Sequence, residues 1–219
     1  MKNYPKRIKN NLHSVIRDMA KHPEEFCRCP KKDFTRNRKL PFEKLLTLLI
    51  KMGGHSLRDE MLDCLAFKET PASVSALVQQ RSKLLPEALE YLFQEFTNRC
   101  HKPKLYKGYR LLAVDGSDLQ FTANPNDPLS YFPGVNGQKP YSFLHLNALY
   151  DLNSNLYLDA VVQKRRAANE NAALISMVDR SEIHEPVIIT ADRGYESYNT
   201  LAVHICRQFL RGAVTPPKV

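Results

Sequence analysis

The sequence predicts an α+β chain: a basic, helical first part, then an α/β-type part built on a mixed β-sheet. Three observations lead there. Up to about residue 105 the apolar residues recur every three or four positions, the helical rhythm. From about residue 106 the apolar runs shorten to strand length and are bounded by Asn, Pro and Gly. Two helical patterns then alternate with strands toward the end, which calls for parallel pairing beside an antiparallel start. The expected division is therefore 1–105 and 106–219.

Taken in order, Leu12 to Phe26 carries apolar residues at Leu12, Val15, Ile16, Met19 and Ala20 and reads as a helix in a stretch broken by Pro5, Pro23 and Pro30. Pro41 opens the next helix at its first turn and Gly53-Gly54 closes it, with Leu45, Leu46, Leu48, Leu49 and Met52 as its core face. Ser56 is placed to cap a third helix and Ser73 a fourth, and Pro86 opens a fifth. The last three suggest a helix-turn-helix-like arrangement, with Gln79, Gln80, Arg81 and Lys83 at exposed positions suited to phosphates and base edges. A plain helical bundle with a solvated face fits the same pattern, and the residues leave both readings open.

In the second part, YRLLAVDGS reads as a strand ending in a turn, and LQF as a short strand passing into a loop rich in Asn, Pro and Gly. The segment from Tyr141 to Arg166 gives two strands joined around Asp151 to Asn155, a hairpin signalled by Asn-Ser-Asn. Asn169 is the expected cap of a helix, Val187 to Ala191 a strand, Ser197 onward a helix, and FLRGAV a last strand.

Composition narrows the function. The net charge is +9, and residues 1–44 hold thirteen Lys or Arg against five Asp or Glu, 13 − 5 = +8. Nearly the whole excess lies in the first fifth of the chain, which favours a polyanion, above all nucleic acid, over a solubilising arm. No run of eighteen apolar residues predicts a membrane span, and the start lacks the apolar region of a signal peptide. The five cysteines (Cys27, Cys29, Cys64, Cys100, Cys206) are odd in number and irregularly spaced, which suits a reduced cytoplasmic chain. Cys27-Arg28-Cys29 beside His22 has no second pair at zinc-finger spacing. There is no Gly-rich phosphate loop, and Ser117 has no neighbouring His to activate it.

The chemistry lies where two apolar strands run into acids. Leu111 to Val114 leads into Asp115, and Val187 to Ala191 leads into Asp192. Ligands in open sheets gather at the carboxyl ends of strands, so neighbouring strands would bring these acids together. Two close carboxylates repel, and a divalent cation removes that penalty. Mg²⁺, with Mn²⁺ as the alternative, prefers such hard oxygens and accepts phosphate oxygens beside them. That is the equipment of in-line displacement at phosphorus. Gly116 and Gly194 are expected to let the chain turn sharply after each acid. Arg193 is placed to contact a phosphate or to pair with an acid. Asp118 is expected to point away from Asp115 and to serve as a turn or cap residue. Tyr195 is expected to pack beside the turn.

AVDGSDL and TADRGYES resemble the first and second aspartate motifs of DDE transposases of the insertion-sequence-4 group. SVSALVQQRSKL is similar to the Gln-Arg-bearing helices that precede the catalytic domain in that group, and the likeness runs from about residue 40 to 212. The resemblance implies a ribonuclease-H-like catalytic domain and Mg²⁺-dependent cutting and joining of element ends. It makes Asp115 and Asp192 the first and second metal-binding, catalytic acids. It also implies double-stranded DNA, the terminal inverted repeats of the element, as partner of the helical region, with Gln80, Arg81, Lys83 and Arg193 as DNA contacts. The expected location is the bacterial cytoplasm at the nucleoid, and monomer and homodimer both stay open. The family's third acid, a Glu in a Tyr-Arg-Glu-Lys signature, has no counterpart in the 27 positions after Asp192. Glu196 and Glu170 are the candidate substitutes, and nothing in the spacing makes Glu196 the third ligand. The expectation is a truncated transposase with an incomplete catalytic sheet and weak or absent catalysis. The alternative is a DNA-binding protein that occupies element ends without cutting them.

Overall fold

The computed structural model describes residues 4–36, 38–64, 72–100 and 102–195, the Arg193 side chain excepted. The chain forms two compact units, Met1–Cys100 and His101–Val219.

The first unit is helical: α1 (Tyr4–Met19), α2 (Phe42–Lys51), α3 (Leu57–Cys64), α4 (Val74–Arg81) and α5 (Glu87–Cys100), with a 3₁₀ turn at Pro23–Phe26. Pro5 does not break the chain as its sequence position suggested. It sits in the first turn of α1, where the missing N–H is no loss. Pro41 precedes α2 with an extended backbone, and Leu45, Leu46 and Leu48 are buried on one face. Ser73 Oγ accepts a hydrogen bond from Ala76 N at 3.1 Å, the expected cap of α4. Ser56 Oγ accepts one from Asp59 N at the start of α3. Val15, Ile16, Met19, Leu45, Leu46, Leu77 and Leu92 meet Phe26 and Phe42 in one apolar core. Each such side chain contributes ~1.5–3 kcal/mol by leaving water. Glu60 is the polar exception: its Oε1 accepts from Gly53 N and His55 N, both at 2.8 Å, and closes the turn after α2.

The second unit is a mixed sheet: β1 (Arg110–Phe121), β2 (Tyr131–Phe132), β3 (Tyr141–Asp151), β4 (Leu156–Lys164) and β5 (Val187–Thr190), with α6 (Glu170–Arg180) packed on it. β3 pairs antiparallel with β1 along one edge and with β4 and the short β2 along the other. β5 pairs parallel with β1. The β3–β4 hairpin forms as its Asn-Ser-Asn turn predicted. Asp151 Oδ1 accepts from Asn153 N and Ser154 N, and Asn155 takes a left-handed φ of 53°. Asn169 caps α6 by accepting from Ala172 N at 2.9 Å.

One element departs from expectation. YRLLAVDGS does not end in a turn. β1 runs on through Asp115, Gly116, Ser117 and Asp118 to Phe121, paired with β3 over its whole second half. The polar run DGSD sits in a strand because β3 supplies both the ladder and polar partners. Leu112, Val114, Leu149, Leu174, Met177 and Tyr195 form the core between sheet and α6. The expected helix from Ser197 and the strand FLRGAV lie outside the described residues. Among the described residues, no helix is long and apolar enough to cross a membrane.

Candidate active site

The register decides where the two acids stand. β1 and β5 pair as Leu112↔Ile189 and Ala113↔Thr190. Asp115, midway along β1, and Asp192, just past the end of β5, each lie two residues beyond that last pair. Both residues are exposed. Strand alternation sets Asp115 opposite in facing to Val114, which is buried under α6. Each acid is braced by the backbone just after it. Gly116 N donates to Asp115 Oδ1 at 2.8 Å, and Gly194 N donates to Asp192 Oδ1 at 2.8 Å.

Behind them, on the α6 side of the sheet, is a connected polar chain. Arg165 Nε donates to Asp118 Oδ2 at 2.8 Å. Asp118 Oδ1 lies 2.7 Å from His145 Nδ1, and His145 Nε2 lies 3.0 Å from Glu170 Oε1. His145 is 5% exposed. Asp118 is therefore no turn or cap residue. It is a strand residue whose facing, opposite to Asp115, delivers it to His145, its register partner on β3. Burial raises the Asp118 pKa, but the hydrogen bonds from His145 and Arg165 outweigh it and hold the carboxyl below its ordinary value.

Tyr195 lies in the 3₁₀ turn Arg193–Tyr195 and is 4% exposed. Its hydroxyl donates to buried Asn147 Oδ1 at 2.9 Å, the packing role expected of it. Burial first, then the negative charges of Glu170, Asp115 and Asp192, push its phenol up to about 12. All three carboxylates thus act on one ring.

Gly116 has a different reason from the one its sequence suggested. It makes no turn. A Cβ there would stand 2.7 Å from His145 Nε2 and 3.1 Å from Glu170 Oε1, so only glycine leaves room for that pair. His145, Asn147 and the role of Glu170 were not found from the sequence. In FLHLNALYD the polar residues alternate with apolar ones, the ordinary sign of a solvated face. The usable signal was the partner strand, where Gly116 and Asp118 fall opposite Asn147 and His145.

Asp115 and Asp192 provide hard oxygen donors, the chemistry that suits Mg²⁺ or Mn²⁺. Among the described residues, no group of three or more His, Cys, Asp or Glu is arranged to hold a metal ion. Two carboxylates match the Mg²⁺ sites that substrate phosphates complete.

Residues 106–211 match the family model of the transposase DDE domain. The match supports a DDE transposase. It spans the strands that carry Asp115 and Asp192. No curated protein and no solved structure gives a match.

The helical unit lies outside the matched DDE domain. There Arg81 is exposed as expected, but Gln80 is not: it is 7% exposed, turned inward on α4. Its Oε1 accepts from Lys83 Nζ at 3.2 Å, and Lys83 lies over the Phe34 ring. Lys83 joins Lys31, Lys32, Arg36 and Arg38 around a cavity of about 330 Å³. The Arg193 side chain and Glu196 lie outside the described residues.

Proposed function

We propose that this chain is a transposase of an insertion sequence, of the insertion-sequence-4 group, with a ribonuclease-H-like catalytic sheet. In this reading it cleaves and joins DNA strands at element ends by metal-dependent phosphoryl transfer. The observation that carries it is the parallel β1–β5 register, in which Asp115 and Asp192 each follow the last pair by two residues.

Asp115 and Asp192 would hold Mg²⁺ or Mn²⁺; when bound, the ion supplies positive charge to the phosphate oxygens of the scissile bond. The Gly116 and Gly194 amides hold one oxygen of each carboxylate and so fix their rotamers. The strand backbones fix the spacing, because neither acid sits on a long loop. Exposed Arg81, and separately Lys83 with the other cations that line the helical cavity, take phosphates of double-stranded DNA at the terminal repeats, and Arg193 takes a phosphate near Asp192. Gln80 acts indirectly, by holding the Lys83 ammonium.

The test uses the full chain and a DNA fragment carrying the sequence that flanks its gene. Binding should weaken steeply as salt rises, because bound phosphates release counterions. Strand cleavage should need Mg²⁺ or Mn²⁺ and should disappear in Asp115→Asn and in Asp192→Asn. Cleavage indifferent to both substitutions contradicts the assignment. Salt-sensitive binding without cleavage at any metal concentration is the behaviour of a chain that only occupies element ends.

A further inference from the structure

A single carboxylate reaches the backbone behind both aspartates. Glu170, first residue of α6, has Oε1 3.1 Å from where a Cβ on Gly116 would stand. Its Oε2 is 3.2 Å from where a Cβ on Gly194 would stand. The two glycines that brace the aspartates are thus also the two that make room for Glu170. The neighbouring residue reinforces the contact: Asn171 Nδ2 donates to Gly194 O at 3.3 Å. Glu170 is itself held from behind by His145 Nε2 at 3.0 Å, and His145 by Asp118 at 2.7 Å.

We propose that Glu170 is a positioning residue that sets the spacing of Asp115 and Asp192, and that His145, held by Asp118, sets Glu170. This rests on the two-aspartate reading above. Glu170 is not offered as a ligand. It approaches β1 at Gly116 on the α6 side, whereas alternation turns Asp115 to the other face. Nor is it interchangeable with an apolar wedge. Its two oxygens divide between Gly116 and Gly194, and one is tied to an imidazole. A shift of the His145 ring would therefore reach Gly194, which it does not touch, through Glu170.

That transmission can be measured without metal. The full chain, labelled with ¹⁵N-glycine, gives amide signals for Gly116 and Gly194 that report the hydrogen bond each makes to its aspartate. His145→Ala should displace both signals and leave Gly53 and Gly54 of the helical unit in place. With Glu170→Ala already present, His145→Ala should no longer move Gly194. A Gly194 signal that ignores His145→Ala, or follows it equally with and without Glu170, overturns the proposal. If His145→Ala unfolds the sheet unit, the near-isosteric Glu170→Gln takes its place: both signals move if the proposal holds, and a still Gly194 overturns it. In a second arm, Glu170→Gln should weaken Mn²⁺ binding about tenfold, as loss of an outer-shell partner does. A parent chain that binds no Mn²⁺ refutes the metal-site reading instead, and the glycine signals still decide the role of Glu170.

Discussion

The helical unit and the sheet unit bury different things. The helical core is apolar, aliphatic side chains with Phe26 and Phe42 among them, and its polar exceptions, Glu60, Gln80 and Thr97, are few. The sheet unit buries Arg110, Ser130, Ser142, His145, Asn147 and Asp151, most of them along β3. Arg110 Nε meets Asp151 Oδ2 at 3.1 Å at one end of the sheet, and the Asp118–His145–Glu170 chain lies at the other. A greasy core tolerates repacking; a satisfied polar core holds its groups in one geometry. Under the proposed function, the difference places rigidity where two carboxylates share one site.

The largest test of that contrast sets Asp151→Ala against Leu45→Ala. Removing Asp151 takes the buried carboxylate from the buried Arg110 guanidinium, leaves Glu185 at 3.5 Å as its remaining acid, and should destabilise by about 3 kcal/mol. Leu45→Ala leaves a cavity among aliphatic neighbours and should cost about 2–5 kcal/mol, at the low end where they collapse. Hydrogen exchange should show β1 and β3 losing protection in the first variant and α1 and α2 in the second. Equal loss in both units from either change would break the comparison.

Smaller effects should be alike in the two units. Ser73→Ala removes the cap of α4 and Asn169→Ala that of α6, each by about 1 kcal/mol in denaturant unfolding. Acid should weaken both units. Glu60 is held below its ordinary 4.5 by the backbone amides of His55 and Gly53 against its burial, and Asp118 below its ordinary 3.8 by His145 and Arg165 against its burial. Because these folded values are lowered, their contribution is present above about pH 4.5 and is lost as pH falls through the folded values. Unfolding followed from pH 6 downward should show the fall, and Glu60→Gln should remove part of it from the helical unit alone.

Much of the helical unit was legible in advance, because local chemistry specifies it. Pro41, Ser56, Ser73 and Pro86 mark helix starts whatever the tertiary fold. The Asn169 cap, the β3–β4 hairpin and the strand leading to Asp192 were legible for the same reason. What failed depended on partners distant in sequence. β1 was cut short because Asp-Gly-Ser-Asp is turn chemistry on its own and strand only beside His145 and Asn147. Gln80 looked exposed because α4 has almost no apolar face to orient it, and tertiary packing turned it inward. Gly116 looked like a hinge because nothing local reveals that Glu170, 54 residues later, needs its space.

Under the proposed function, Asp115 and Asp192 serve one site. The most direct measurement is a Mn²⁺ titration of the full chain, of Asp115→Asn, of Asp192→Asn and of the double variant. The register predicts that each single change weakens binding and that the double change loses less free energy than the two singles summed, as for residues sharing one partner. Binding indifferent to either change, or losses that add as for independent sites, would contradict it.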